Sequence, residues 1–521
     1  MRLFIQFFLF ILAAALPASS LAAVKFNPPA TPDKARTVAQ GYIGFGIEMK
    51  SFPDYVGHST PNKLSKFLLS QLSARTGNSP VHIRVGGTSM DNGVFSPSLT
   101  TNATLPASNL AQCRLHTNIT IGAPWVRAFE HLGAALARYT LQVPLARKNV
   151  PNGVKLADAC VKAMPGGPAQ LDAIEIGNEP NLYPFAGCGG HDRGPDFTPE
   201  VYASGWNAYA QNLQKGVEGL GSSPKRYQAL ALASNADLGL WNLSKIFKQL
   251  DQGGHVKTVS QHYYQGLATG TLKAQLLTHS TTVSKMEHNF RANVEFSHAH
   301  NISLVFGEVG PALGGNGDIN PALFGTLGGA LWSFDFLLYG MSMGITRVSM
   351  QLGTNFRMSA WQAVDGEKGH PKAVHGNFYG LVAGADFIGP AGDLKIRTLP
   401  MDDHPDIVGY AGYNSGKLTK VAVLNLQIWN KGDGARPQRE IALTKLGADV
   451  KRVRVSRLTS PDGATDEDNI SWAGEQFTAE NDGTVKAKGD KPAIINVTNG
   501  SPVKPVVVAA SEAVLIEVLR N

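Results

Sequence analysis

The stretch Ala173-Ile174-Glu175-Ile176-Gly177-Asn178-Glu179-Pro180-Asn181-Leu182-Tyr183 decides the fold. Apolar Ala173, Ile174 and Ile176 mark a short buried β-strand that runs into Gly177. Pro180 has no N–H and disfavours helix at the residue before it, so the strand ends with Glu179 at its lip. A carboxylate at the carboxyl end of a parallel strand is where barrel enzymes keep their chemistry. The chain must then supply a barrel, and a second carboxylate.

Strand-like runs recur on both sides: Gly41–Met49, Val81–Gly87, Leu141–Leu145, the opening stretch, Tyr227–Ala233, Val256–Tyr264, Ile302–Glu308 and Ile345–Gln351. Helical spacing of apolar residues predicts helices between them, over Lys63–Ala74, Pro124–Tyr139, Lys155–Met164, Thr198–Val217, Leu240–Leu250, Leu272–His298 and Phe324–Met341. Eight strands with interleaved helices is the count for a (β/α)₈ TIM barrel, assigned to residues 24–384. From 385 to 521 helical periodicity gives way to short β runs separated by Gly-, Pro- and Asp-rich turns, which predicts an antiparallel β-sandwich. Residues 24–40 are polar and proline-bearing, and serve as a linker or as an edge strand of that sandwich.

The 521 residues suit one large domain plus a smaller one, and 43% apolar with 17% charged residues describes an ordinary globular chain. The formal charge of +7 is scattered. No basic run with interleaved aromatics appears, which argues against nucleic acid as a partner. Arg2, the apolar run Leu3–Leu16 and the small residues up to Ala23 have the form of a secretory signal over residues 1–23. That run falls short of the roughly 20 residues a membrane span needs, so a secreted, extracellular protein without a membrane partner is expected. Asn102, Asn118, Asn242, Asn301, Asn469, Asn496 and Asn499 each open an Asn-x-Ser/Thr triplet and are glycosylation candidates. Cys113, Cys160 and Cys188 allow at most one intramolecular disulfide, of open pairing, and no Cys/His metal spacing occurs.

Glu179 and Glu308 end the fourth and seventh strands, and strand ends converge on one face of a barrel. Two carboxylates flanking a sugar C1 are what glycosidic cleavage needs, one protonating the leaving oxygen while the other attacks the anomeric carbon. Asn178 is placed to hydrogen-bond a sugar 2-hydroxyl. No cofactor or metal is implied, since the two carboxylates suffice.

These residues carry a resemblance. Asn178-Glu179-Pro180 on strand four with Glu308 on strand seven is similar to the clan of retaining barrel glycosidases. Within it the chain most resembles glycoside hydrolase family 79, the β-glucuronidase and heparanase family. The likeness runs through Arg84-Val85-Gly86-Gly87-Thr88 and Asp91, Ile176 to Asn181, His262-Tyr263-Tyr264, Phe306-Gly307-Glu308 and Gly314-Gly315. It implies Glu179 as general acid/base, Glu308 as nucleophile and Asp91 as an acceptor for sugar hydroxyls. Tyr263 would orient Glu308, while Tyr264, on the opposite side of the strand, would face away. His262 is expected as a packed core histidine. The carboxylate of a glucuronide would fall to Gly314, Gly315 and Asn316. The family's tyrosine before those glycines is Leu313 here, and Trp361 stands nearest to a second expected tyrosine. The reading is a secreted retaining β-glycosidase cleaving terminal β-glucuronides, 4-O-methyl-glucuronides included. Leu313 keeps a neutral β-hexoside or β-xyloside as rival glycone. A non-catalytic carbohydrate-binding barrel is the reading of another class, disfavoured because both carboxylates are present.

Overall fold

The computed structural model describes residues 23–105, 119–146, 148–184, 193–194, 196–221, 223–233, 240–367, 369–400 and 403–520. Eight parallel strands close a barrel: β1 (Ile43–Glu48), β2 (Val81–Gly86), β3 (Ala137–Val143), β4 (Leu171–Ile176), β5 (Tyr227–Leu232), β6 (Val256–Gly266), β7 (Ser303–Ala312) and β8 (Arg347–Leu352). A helix follows each: α1 (Lys63–Arg75), α2 (Ala123–Arg127), α3 (Val150–Ala163), α4 (Pro199–Gly216), α5 (Leu243–Leu250), α6 (His279–Ala299), α7 (Leu327–Met343) and α8 (Gly376–Ile388). Side-chain caps start several of them. Asn62 accepts from Ser65 N at 2.9 Å before α1, and Thr326 accepts from Gly329 N at 3.2 Å before α7.

One expected element differs. The helix predicted over Pro124–Tyr139 stops at His131, and β3 starts at Ala137. The chain reverses at Gly133, whose carbonyl accepts from Leu136 N, and the Leu136 carbonyl then takes Val81 N into the barrel ladder. Tyr139 satisfies the helical spacing by chance; it packs edge-on against Phe129.

α7 is apolar on every side. The segment Pro321–Met343 is long and apolar enough to cross a membrane by composition, yet it is 94% buried inside the protein, as a core helix is. It is wedged between the barrel and the second region. That region is built of antiparallel strands, among them Ile407–Asn414, Lys417–Asn425, Arg452–Thr459 and Glu512–Leu519 in one sheet. A second sheet joins Gln438–Leu443 to Val506–Ala509, with Val24–Phe26 pairing parallel to Gln438–Leu443. Phe26, Val421, Ile441, Val453, Val508 and Ile516 form an apolar core between the sheets. The two regions are bonded together: Tyr410 donates to Asp335 Oδ1 on α7 at 2.6 Å, and Leu327 N and Gly328 N at the start of α7 donate to the carbonyls of Asp466 and Ala464.

Cys160 is a free, buried thiol on α3, whereas Cys113 and Cys188 lie outside the described residues, as do residues 1–22, where a secretory signal is expected, and Asn118. Among the other triplets, Asn301, Asn496 and Asn499 are exposed. Asn102, Asn242 and Asn469 are half-buried with side-chain hydrogen bonds, Asn242 as the cap of α5.

Candidate active site

The barrel interior is polar at both ends. At the amino end Asp172 on β4 takes Lys257 Nζ at 2.8 Å and Arg347 Nη1 at 2.9 Å, and Arg347 Nη1 also meets His82 Nδ1 at 2.8 Å. Burial would raise the Asp172 carboxyl, but Arg347, His82 and Lys257 together hold it well below the usual range. Burial, helped by Arg347, pushes His82 down to about 3, so its ring is neutral.

The carboxyl end is built around Arg84 on β2, which is 2% exposed. Its Nε donates to Glu175 Oε1 at 2.8 Å, Nη1 to Glu308 Oε2 at 3.1 Å, and Nη2 to Asn178 Oδ1 at 2.6 Å and Gln142 Oε1 at 3.2 Å. Glu175 is fully buried, and its other oxygen accepts from Gln228 Nε2 at 2.6 Å. A buried carboxylate is tolerated only when paired and hydrogen-bonded in this way. The guanidinium therefore fixes Asn178 and Glu308 with a group that is itself immobile.

Glu179 follows β4 in the left-handed conformation, φ 47° and ψ 50°, with its N–H donating to Ala231 O at 2.9 Å. For a residue other than glycine that costs on the order of 1–3 kcal/mol, and such strain gathers at functional sites. Glu308 reaches the mouth through a bulge in β7. Gln261 pairs with Phe306 while the next residue, His262, pairs with Glu308, leaving Gly307 unpaired. A Cβ on Gly307 would stand 2.2 Å from Ser260 Oγ and 3.6 Å from Glu175 Oε2, so this position faces the barrel interior and only glycine fits. Phe306 packs outward against Phe290, and the bulge turns Glu308 inward.

One oxygen of Glu179, a ring nitrogen of His262 and one oxygen of Glu308 all lie within 4.8 Å of one another. Glu179 is 22% exposed and Glu308 13%, so both carboxylates meet solvent at the mouth. His262 is fully buried, its Nδ1 lies 2.9 Å from Glu179 Oε1 and its Nε2 has no partner among the described residues. Burial works against a charge on this ring, but Glu308 and Glu179 raise it above the ordinary imidazole value. Burial would likewise raise Glu308, but His262, Arg84 and the Tyr264 hydroxyl hold it below the ordinary carboxylate range. The same three side chains could ligate a cation; Arg84 already supplies positive charge to Glu308 there.

Several expected placements change. Tyr264, not Tyr263, donates to Glu308 Oε1. Tyr263 faces the helices, its ring nearly parallel to those of Phe306 and Phe336, with its hydroxyl on Gln265 Oε1 at 2.9 Å. His262 shares the inward side with Tyr264, two residues away, and is a site residue rather than a packed core histidine. Trp361 is 1% exposed, edge-on to Phe45, with Nε1 donating to Ser65 Oγ at 3.0 Å; it is a core side chain beneath the mouth. Asp91 is also buried. Its Oδ1 accepts from Leu145 N at 2.8 Å and its Oδ2 from the Tyr183 hydroxyl, so it ties the loops after β3 and β4 together. Burial pushes the Asp91 carboxyl up to about 6, against those hydrogen bonds. Leu313, Gly314, Gly315 and Asn316 are exposed in the loop after β7. Gly314 and Gly315 have φ of 70° and 108°, and the N–H groups of 314–316 find no acceptor among the described residues.

A further carboxylate is not singled out by sequence pattern. Glu48, at the end of β1, is 7% exposed and accepts from Ser89 N at 3.0 Å and from the Ser89 hydroxyl. Burial and the nearby Glu308 raise it, against Ser89. Its signal was an acidic residue ending an apolar, glycine-spaced strand, as at Glu308.

Comparison with known proteins bears on the chain as a whole. The description "Glycosyl hydrolase family 79 C-terminal beta domain" matches residues 409–515. A β-glucuronidase of Neurospora crassa is 28% identical over 86% of this chain and 86% of its own, and one of Aspergillus niger is 27% identical over 90% and 88%. The crystal structure of a 4-O-α-L-rhamnosyl-β-D-glucuronidase from Fusarium oxysporum shares the fold with a TM-score of 0.77 at 22% identity, covering 95% of this chain and all of that one. A family 51 α-L-arabinofuranosidase from Bifidobacterium longum shares it at 0.58 and 15% identity, covering 95% of this chain and 99% of its own. With the closed barrel, the appended β region and the carboxylate pair, these likenesses make the chain a glycoside hydrolase that is similar to the β-glucuronidases of family 79.

Proposed function

We propose that the protein is a secreted retaining β-glycosidase that removes terminal β-glucuronic acid residues, 4-O-methylated ones included, from glycans or glycoconjugates by double displacement. The spacing of Glu179 and Glu308 carries this reading. Oxygens within 4.8 Å of each other suit the roughly 5–5.5 Å between carboxyl groups in retaining enzymes better than the roughly 6.5–9.5 Å of inverting ones.

Each residue then has work to do. The ionised Glu308 attacks C1 from below while the glycosidic C–O bond breaks and Glu179 gives its proton to the departing oxygen. Water, deprotonated by Glu179, next attacks C1 and frees Glu308. Tyr264 and Arg84, on the two oxygens of Glu308, keep it ionised and aimed. His262 orients Glu179, and Asn178, immobilised by Arg84, is offered to the 2-hydroxyl. Asp91 acts through the mouth loops, as a positioning residue. The acidic glycone is supported by the two β-glucuronidases above and by the N–H groups at Gly314, Gly315 and Asn316, a ready anion cradle. Export is supported by the signal-like residues 1–23 and the exposed triplets at Asn301, Asn496 and Asn499.

A panel of p-nitrophenyl β-glucuronide, β-glucoside, β-galactoside and β-xyloside tests the reading. The glucuronide is the expected best substrate. Preference for a neutral sugar would overturn the glycone and single out Leu313, and inactivity on all four would favour a binding protein.

A further inference from the structure

The site is short of positive charge for an anionic sugar. Glu48, Glu175, Glu179 and Glu308 cluster there, against Arg84 and His262. Arg84 is already committed to Glu175, Asn178, Gln142 and Glu308. The backbone N–H groups after Leu313 offer only partial charges, and Leu313 itself offers no polar atom. A full counter-charge would add to the hold of those N–H groups on a carboxylate brought into that field.

Lys50 is placed to supply it. It lies two residues beyond Glu48, on the turn after β1, where it is exposed. Among the described residues it has no ion pair. Its Nζ sits 5.7 Å from the ring centroid of Phe356, in the turn after β8. That turn is clamped to the β1 side, with Thr354 N donating to Ser51 Oγ at 2.9 Å. Its far end, Met358, reaches β7: a Cβ on Gly310 would stand 2.8 Å from Met358 Sδ and 2.6 Å from Tyr264 Cε1. Lys50 thus borders one end of a turn whose other end meets β7 beside Tyr264, the residue that donates to Glu308. The Lys50 charge is felt at Glu48, whose carboxyl it lowers against burial.

Resting on the glucuronide reading above, we propose that Lys50 binds the carboxylate of an acidic sugar and so sets preference for acid over neutral glycones. A compact ammonium on a flexible stem suits that task, because it can follow the carboxylate from outside the packed barrel.

The test is steady-state kinetics of wild type, Lys50→Met and Lys50→Arg on p-nitrophenyl β-glucuronide and β-glucoside. Loss of one charge-assisted contact predicts a fall of roughly 10–100-fold in kcat/KM for the glucuronide in Lys50→Met, carried mainly by KM. Glucoside turnover should stay within about twofold, and Lys50→Arg should keep most of the glucuronide activity, since no contact to the neutral sugar or unit of charge is lost. Added salt should weaken glucuronide binding in the wild type more than in Lys50→Met. A Lys50→Met variant as active on the glucuronide as wild type, or equally damaged on both sugars, would overturn the proposal. A wild type that ignores the glucuronide but cleaves the glucoside would instead overturn the reading beneath it, and this one too, before any variant is made.

Discussion

The two ends of the barrel hold similar ingredients to opposite ends. At the amino end Asp172 is enclosed by Lys257, Arg347 and a neutral His82, and each charge has its answer inside the cluster. At the carboxyl end Arg84 ties down Glu175 and Glu308, but Glu179 and Glu308 still meet solvent and His262 keeps a buried nitrogen without a partner among the described residues. Closed clusters of this kind hold strands together, and open ones are where barrels put their chemistry. The contrast makes definite claims about which substitutions harm turnover and which harm the fold.

The largest effect is expected from Glu308→Gln, which removes the attacking group while keeping its shape. Turnover of the glucuronide should fall by at least about 10⁴-fold, with melting temperature little changed. Surviving activity would remove Glu308 from the nucleophile role. Asp172→Asn should do the reverse. It leaves Arg347 buried without its carboxylate and should cost about 3–5 kcal/mol in denaturant unfolding, while kcat of the folded enzyme stays near wild type. Because the Asp172 carboxyl is depressed in the folded state, its contribution is complete above its ordinary value of 3.8 and is lost as pH falls through the lower folded value. The variant should therefore show less loss of stability on acidification. Equal acid sensitivity would mean that the cluster is not what holds this end.

Tyr264→Phe comes next. It deletes a hydrogen bond that lowers the Glu308 carboxyl, so the acid limb of kcat/KM should move to higher pH, with roughly a tenfold loss at the optimum. Tyr263→Phe, the partner in the comparison, should leave the pH profile unmoved. The smallest effect belongs to the β region. Ile516→Val in its apolar core should cost about 0.5–1.5 kcal/mol and leave kinetics untouched.

Much of this was legible in the chain. All eight strands stood out because strands buried on both faces read as apolar runs, and both glutamates were exposed by the glycine or proline beside them. Tyr263 was misassigned because alternation says that neighbours point apart, but not which one points in. The pattern of β6 itself is ambiguous: Ser260, His262 and Tyr264 share one face, but the helix-facing set holds polar Gln261 between Val259 and Tyr263. Glu175 and Arg84 were given no role of their own, although both sit inside strands, where a buried charge demands a buried partner from far along the chain. Their pairing spans 91 positions and depends on barrel closure, which local pattern does not encode. Trp361 and Asp91 show the converse, since type and position suited a sugar while packing claimed both.

The central claim is that Glu179 and Glu308 stand close enough for a covalent, double-displacement route. Proton NMR of the first sugar released from p-nitrophenyl β-glucuronide, recorded before mutarotation, tests it most directly. Double displacement predicts β-glucuronic acid as the first product, with the α-anomer growing in only later. First appearance of the α-anomer would mean single displacement by water, and would contradict the roles given to both glutamates.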